Sequence, residues 1–84
     1  MSGPARREAV TALLDEILPG GLPPGWADGR PLVEAGLDSV AVLTLVAELE
    51  TRLGLHLDGA DLSAENFGTL GALCALVARR AEEP

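Results

Sequence analysis

Asp38-Ser39-Val40-Ala41-Val42-Leu43-Thr44-Leu45-Val46-Ala47-Glu48-Leu49-Glu50-Thr51-Arg52-Leu53-Gly54 reads as one amphipathic helix with punctuation at both ends. Asp38 has the short carboxylate that caps a helix beginning at Ser39. Gly54 supplies the stop. At about 100° per residue, Val42, Leu45, Val46, Leu49 and Leu53 fall on one side and form a core stripe. Val40, Leu43 and Ala47 recur at spacings of three and four on the opposite side. A helix packed in a single-layer bundle cannot bury both sides in one core. Either another segment, such as the long preceding loop, covers the second stripe, or it stands exposed as a contact patch beside Ser39. The contact reading is preferred, with Glu48 and Glu50 as its acidic border, because transient interfaces join an apolar centre to a charged rim.

Working outward from this helix, Val10, Leu13, Leu14, Ile17 and Leu18 also recur at helical spacing. Pro4 suits the first turn after Ser2 and Gly3, and Pro19-Gly20-Gly21 ends the run, which predicts a helix over residues 4–18. Residues 19–38 form a long connection holding Pro23, Pro24 and Pro31, a length uncommon in compact domains unless the loop is ordered. Leu22, Trp26, Leu32, Val33 and Leu37 are its apolar anchors, and Trp26 is read as an anchor rather than a ligand platform. After a turn at residues 58–61, residues 62–66 can make one short helical turn capped by Asp61 or Ser63. Thr69 caps a last helix carrying Leu70, Leu73, Leu76 and Val77, with Arg79 and Arg80 where cations suit the helix dipole. The Glu82-Glu83-Pro84 end is expected to fray. The fold class is therefore all-α: a four-helix bundle with a long first loop and a short third helix.

Composition agrees with that class. The 84 residues suffice for one domain, expected to span 1–84, with a small core. The apolar fraction of 48% comes mostly from Leu, Ala and Val, against one Trp, one Phe and no Tyr, so the core is aliphatic. Thirteen carboxylates face six arginines and no lysine, a net charge of -7. That balance excludes a nucleic-acid binder, which needs clustered cations. It favours solubility and partners with basic surfaces. The acidity is central: residues 38–65 hold six carboxylates against Arg52 alone. A single cysteine, Cys74, excludes an internal disulfide and a cysteine-rich metal site. The longest uncharged apolar run, residues 40–47, is too short to cross a bilayer, and no secretory signal is legible. The expectation is a cytoplasmic monomer with no membrane partner.

The run Leu32-Val33-Glu34-Ala35-Gly36-Leu37-Asp38-Ser39-Val40 closely resembles the modification motif of the acyl carrier protein family, where Gly-Leu-Asp-Ser and an aliphatic residue open the second helix. The order of elements along nearly the whole chain resembles the family as well. The resemblance implies a four-helix bundle of the acyl-carrier type. It also implies that Ser39 accepts 4'-phosphopantetheine from coenzyme A through a phosphopantetheinyl transferase, and that Asp38 aids recognition by that transferase. The arm's thiol would carry acyl or aminoacyl groups as thioesters. The implied partners are the transferase, a loading ligase or acyltransferase, and downstream synthase or tailoring enzymes. The physics suits this: a phosphodiester at Ser39 would sit by the positive end of a helix. Ala41 and Thr44 stand where fatty-acid carriers are often acidic, and the Gly-Gly-x-Ser-Leu of peptidyl carriers is absent. The chain thus resembles a discrete acyl-type carrier of polyketide, antibiotic or related specialised-metabolite biosynthesis, and Ala64-Glu65-Asn66-Phe67 resembles stand-alone carriers of amino acids or unusual extender units. The alternatives are an unmodified helical interaction domain, or a peptidyl carrier of a nonribosomal pathway.

Other chemistry is set aside on the residues. Gly-Leu-Asp-Ser-Val is no Gly-x-Ser-x-Gly elbow and His56 is the sole histidine, so Ser39 is not read as a nucleophile and the chain is not expected to be an enzyme. His56 is expected on the surface or packed in a loop. Asp58, Asp61 and Glu65 lack EF-hand spacing, so no metal is expected. Cys74, among Ala72, Leu73, Ala75 and Leu76, is read as a small core hydrophobe.

Overall fold

Each helix ends where a local hydrogen bond or a glycine ends it. The computed structural model describes residues 3–82. Ser2, Glu83 and Pro84, to which part of the first-turn and tail expectations applied, lie outside the described residues. Helix α1 spans Gly3–Ile17, and the Leu22 N–H donates to Asp15 Oδ1 at 2.9 Å to close the turn beyond it. Helix α2 spans Ser39–Leu53, α3 Ala64–Phe67 and α4 Leu70–Ala81. Asp38, Ser63 and Thr69 cap the last three by accepting the N–H of Ala41, Asn66 and Ala72. Of the two caps considered for α3, Ser63 is the one used. Gly54 ends α2 at φ +67°, a left-handed conformation that side chains resist.

Helix α1 packs on α2 and α4, and α4 packs on α3. Val10, Leu14, Leu45, Leu49, Leu73 and Leu76 are fully buried where these helices meet. The expected stripe of α2 is there, but only Leu45 and Leu49 are sealed. Val42, Val46 and Leu53 lie half-buried at its edges against the core. Cys74 is also half-buried against the core, and burial pushes its thiol pKa up, which suits a packing role. His56 is exposed between buried Leu55 and Leu57, the alternation of an extended segment.

The long connection is pinned as an ordered strap. Leu22, Trp26, Leu32 and Leu37 are buried, and the Trp26 Nε1–H donates to the Arg30 carbonyl at 3.2 Å with the Arg30 guanidinium 4.0 Å from the ring centroid. Trp26 is therefore an anchor. The Leu32 N–H donates to Gly68 O at 2.8 Å, the Gly71 N–H donates to Asp28 O at 3.0 Å, and Asp28 pairs with Arg7. Val33 departs from the anchor role expected of it. Residues Leu32–Ala35 form a 3₁₀ turn, whose step of about 120° puts Leu32 and Ala35 inward and Val33 outward. Val33 is 70% exposed.

Residues Gly59–Asp61 form a second 3₁₀ turn held by a capping box between Asp58 and Asp61. Asp61 is buried, and its carboxylate accepts from Arg80 at 2.7 Å and from the Asp58 N–H at 3.0 Å. Arg80 also pairs with Asp58 at 3.5 Å, so beyond suiting the helix dipole it ties the end of α4 to the turn before α3. The Arg80 side-chain hydrogen bond first, and the Asp58 backbone N–H second, hold the Asp61 carboxyl below the ordinary carboxylate range. The unfolded chain binds that proton more readily than the folded one. Stabilisation is thus complete above the unfolded value of about 4 and is lost as pH falls through the lower folded value. Wild type should melt higher than Asp61→Asn at neutral pH, and thermal melts at falling pH should show the gap closing below about pH 4.

Among the described residues, no group of His, Cys, Asp and Glu is placed to hold a metal ion, and no helix is long and apolar enough to cross a membrane.

Candidate functional site

The segment before α2 aims one hydroxyl outward through four successive residues. Gly36 turns the chain at φ +100°, which a side chain would resist, and a Cβ there would come within 3.1 Å of the Pro19 ring. Leu37 is buried and anchors the turn, with its N–H donating to Leu32 O at 3.2 Å. Asp38 spends its carboxylate on the Ala41 N–H at 2.8 Å, and its carbonyl accepts the Val42 N–H at 2.9 Å. Ser39 follows as the first residue of α2 and is exposed. By helix geometry the Ser39 and Val40 N–H groups have no intrahelical partner, so the hydroxyl stands beside open donors at the positive helix end.

A groove of about 750 Å³ opens beside Ser39, lined by Val33, Leu37, Leu43, Leu62 and Phe67 among others. Asp38 is the only ionisable residue in its lining. A serine proton leaves only with a base at hand, and His56, in the loop after α2, does not line this groove. The arrangement offers an accessible hydroxyl whose one ionisable neighbour in the groove, Asp38, has Oδ1 engaged in capping α2.

The sequence-derived contact residues fall partly together. Val40, Leu43 and Ala47 are exposed on the outward side of α2, with Val40 at 72% and Leu43 at 63%. The long loop does not cover them. Glu48 and Glu50, expected as a charged border, turn to partners within the chain. Glu48 pairs with Arg52 at 2.6 Å, Arg52 also holds Glu16 at 2.7 Å, and Glu50 Oε2 accepts the Leu57 N–H at 3.1 Å. Helical phase alone places both acids beside the stripe, and it is silent about acceptors needed by the loop that follows. Sequence reasoning missed Val33 and Leu62, the two exposed apolar residues on the far side of the groove. For Val33 the signal was available in Gly36 closing a 3₁₀ turn; for Leu62 there was none.

The sequence profile of the family described as "Phosphopantetheine attachment site" matches residues 8–77. The chain belongs to that family. It is a carrier and not a catalyst, and its domain is the site of covalent 4'-phosphopantetheine attachment. No curated protein matches the chain by sequence. Among solved structures, it is similar to the carrier in the crystal structure of Bradyrhizobium japonicum glycine:[carrier protein] ligase complexed with glycylated carrier protein. That similarity has a TM-score of 0.73 at 18% identity, covering 86% of this chain and 97% of the other, and it shows the shared fold. The residues fit the prosthetic group. An exposed serine at a helix start, beside backbone donors that have no intrahelical partner, suits a phosphodiester.

Proposed function

We propose that Ser39 is the attachment residue and that this carrier domain, spanning residues 1–84, shuttles acyl or aminoacyl thioesters in polyketide or related specialised-metabolite biosynthesis. The observation that carries the assignment is an exposed hydroxyl on the first residue of α2, flanked by a mostly apolar groove in which Asp38 is the one ionisable residue. Once bound, the arm supplies a thiol that holds cargo as a thioester. The chain's own residues do the rest. Gly36 and Leu37 fix the turn, Asp38 closes the helix start and would offer its outer edge to a transferase, and the Ser39 and Val40 N–H groups would be the backbone donors available to the phosphate. When the transferase acts, Ser39 Oγ forms a bond to the phosphorus of coenzyme A that carries the pantetheine. The phosphoanhydride bond breaks, adenosine 3',5'-bisphosphate leaves, and the hydroxyl proton goes to a base on the transferase. Val40, Leu43 and Ala47 form the partner face. A ligase that loads an amino acid is one such partner, a reading favoured by likeness to a glycylated carrier.

Incubation with coenzyme A, magnesium and a phosphopantetheinyl transferase of broad range should raise the intact mass by one phosphopantetheine. Peptide mapping should place it on the segment containing Ser39. If several competent transferases leave the mass unchanged, the chain is the unmodified interaction domain. Intact mass of the protein from its producing cells would identify the cargo.

A further inference from the structure

We propose that Gly68 is a positioning residue for the loading of Ser39, its carbonyl and its missing side chain together setting the turn from which α2 starts. The proposal rests on Ser39 as the attachment residue. Gly68 stands between α3 and α4, far along the chain from that serine. Its backbone lies in the ordinary right-handed region, at φ -78° and ψ -31°, where any residue fits. Glycine is needed there for space. A Cβ would stand 2.5 Å from the Ala64 carbonyl oxygen, too close for both atoms to stay where they are. Little room exists to yield, because Phe67 and Leu70 on either side are buried and Thr69 is occupied in capping α4.

The Gly68 carbonyl accepts the Leu32 N–H at 2.8 Å, and Pro31 and Thr69 lie opposite each other as a single antiparallel pair. Leu32 is fully buried and opens the 3₁₀ turn, so its N–H has no partner inside the turn and depends on Gly68. The Leu32 carbonyl in turn accepts the Leu37 N–H at 3.2 Å, and Leu37 is the buried anchor of the turn that leads into Ser39. Two successive hydrogen bonds thus carry the position of the α3–α4 junction to the loading turn. Gly71 is the comparison within the same strap. Its N–H donates to the Asp28 carbonyl at 3.0 Å, and a Cβ there would come within 3.3 Å of Asp28. Asp28 leads to Arg7 on α1 rather than to Leu37. The two glycines touch one strap at different points, and only Gly68 reaches the serine's turn.

The test measures uptake of a fluorescent coenzyme A analogue by a broad-range phosphopantetheinyl transferase, well below the melting temperature of each chain, with kcat and KM separated. Gly68→Ala should lower kcat about tenfold and leave KM within about twofold, since a misaimed hydroxyl reacts slowly while the surface met by the transferase is kept. Amide hydrogen exchange supplies the readout that plain destabilisation would not give. In Gly68→Ala, exchange at Leu32 and Leu37 should quicken at least about fivefold more than at Leu45 and Leu73, which report the core. A synthetic chain with the α-hydroxy acid of leucine at position 32 removes the N–H and adds no atoms, and it should slow kcat and loosen Leu37 in the same way. Gly71→Ala should lower the melting temperature yet leave kcat and Leu37 exchange within about twofold of wild type. Should Gly68→Ala fail to fold, the ester chain decides by the same two readouts. Unchanged exchange at Leu37, or a slow Gly68→Ala beside a normal ester chain, overturns the proposal while Ser39 still loads. So does a Gly71→Ala as slow as Gly68→Ala, which would mean a general loosening of the strap. A wild type that takes up no arm overturns the attachment reading, and this one with it.

Discussion

Ser39→Ala should abolish arm uptake completely while leaving the melting temperature almost unmoved. The two effects separate because Ser39 does nothing structural that alanine cannot do. Its side chain is exposed, the cap of α2 belongs to Asp38, and alanine is the better helix former at that first position. Stability should therefore stay within about 0.5 kcal/mol, the range of exposed substitutions away from special sites. Uptake should fall to nothing, since a phosphodiester needs the oxygen. The contrast within the chain is Ser63. Its hydroxyl also sits at a helix start, but it accepts the Asn66 N–H at 3.1 Å and serves as the cap of α3. Ser63→Ala should thus cost about 1 kcal/mol and leave uptake intact. Intact mass on both variants checks the pair, and residual labelling of Ser39→Ala would move the attachment site elsewhere.

What could be read in advance was whatever lies within about one helical turn along the chain. Asp38, Thr69 and Gly54 mark helix ends because a cap or a left-handed stop acts on backbone groups a few residues away. The helix start at Ser39 was legible for the same reason, whereas its reading as the attachment residue came from the resemblance of Gly36-Leu37-Asp38-Ser39 to the acyl-carrier motif. Contacts between distant segments were not. The Leu32 N–H meeting Gly68 O, the Asp28 carbonyl serving α4, and Arg80 reaching Asp61 leave no period in the sequence. These contacts place the 3₁₀ turn and α3 on either side of the groove, and so they bring Val33 and Leu62 next to Ser39. Glu50 shows the limit from the other side. Its helical phase was right, and its charge is nevertheless occupied by the backbone of the following loop. A face can be located by periodicity; its electrostatic character depends on which side chains the tertiary fold has already engaged.

Leu45→Ala should produce the largest loss of stability among the changes considered. Leu45 has no exposed surface, lies on the inward stripe of α2 and belongs to the core between the helices. Removing a buried leucine side chain costs the transfer free energy of its atoms plus the cavity left behind, about 2–5 kcal/mol in all. A domain of this size has only roughly 4–13 kcal/mol in total, so the change can consume most of it. The melting temperature should fall by about 10–30 °C. Arm uptake should fall too, by a different route from Ser39→Ala. The hydroxyl is still present, but the start of α2 is held outward only while α2 is seated on α1. Uptake by Leu45→Ala should accordingly recover on cooling towards the temperature of maximum stability, where Ser39→Ala stays inert. A melting shift below about 4 °C would mean that Leu45 is not a principal contact of the core. Uptake lost in the cold, with helicity intact, would mean that presentation of Ser39 depends on more than the seating of α2.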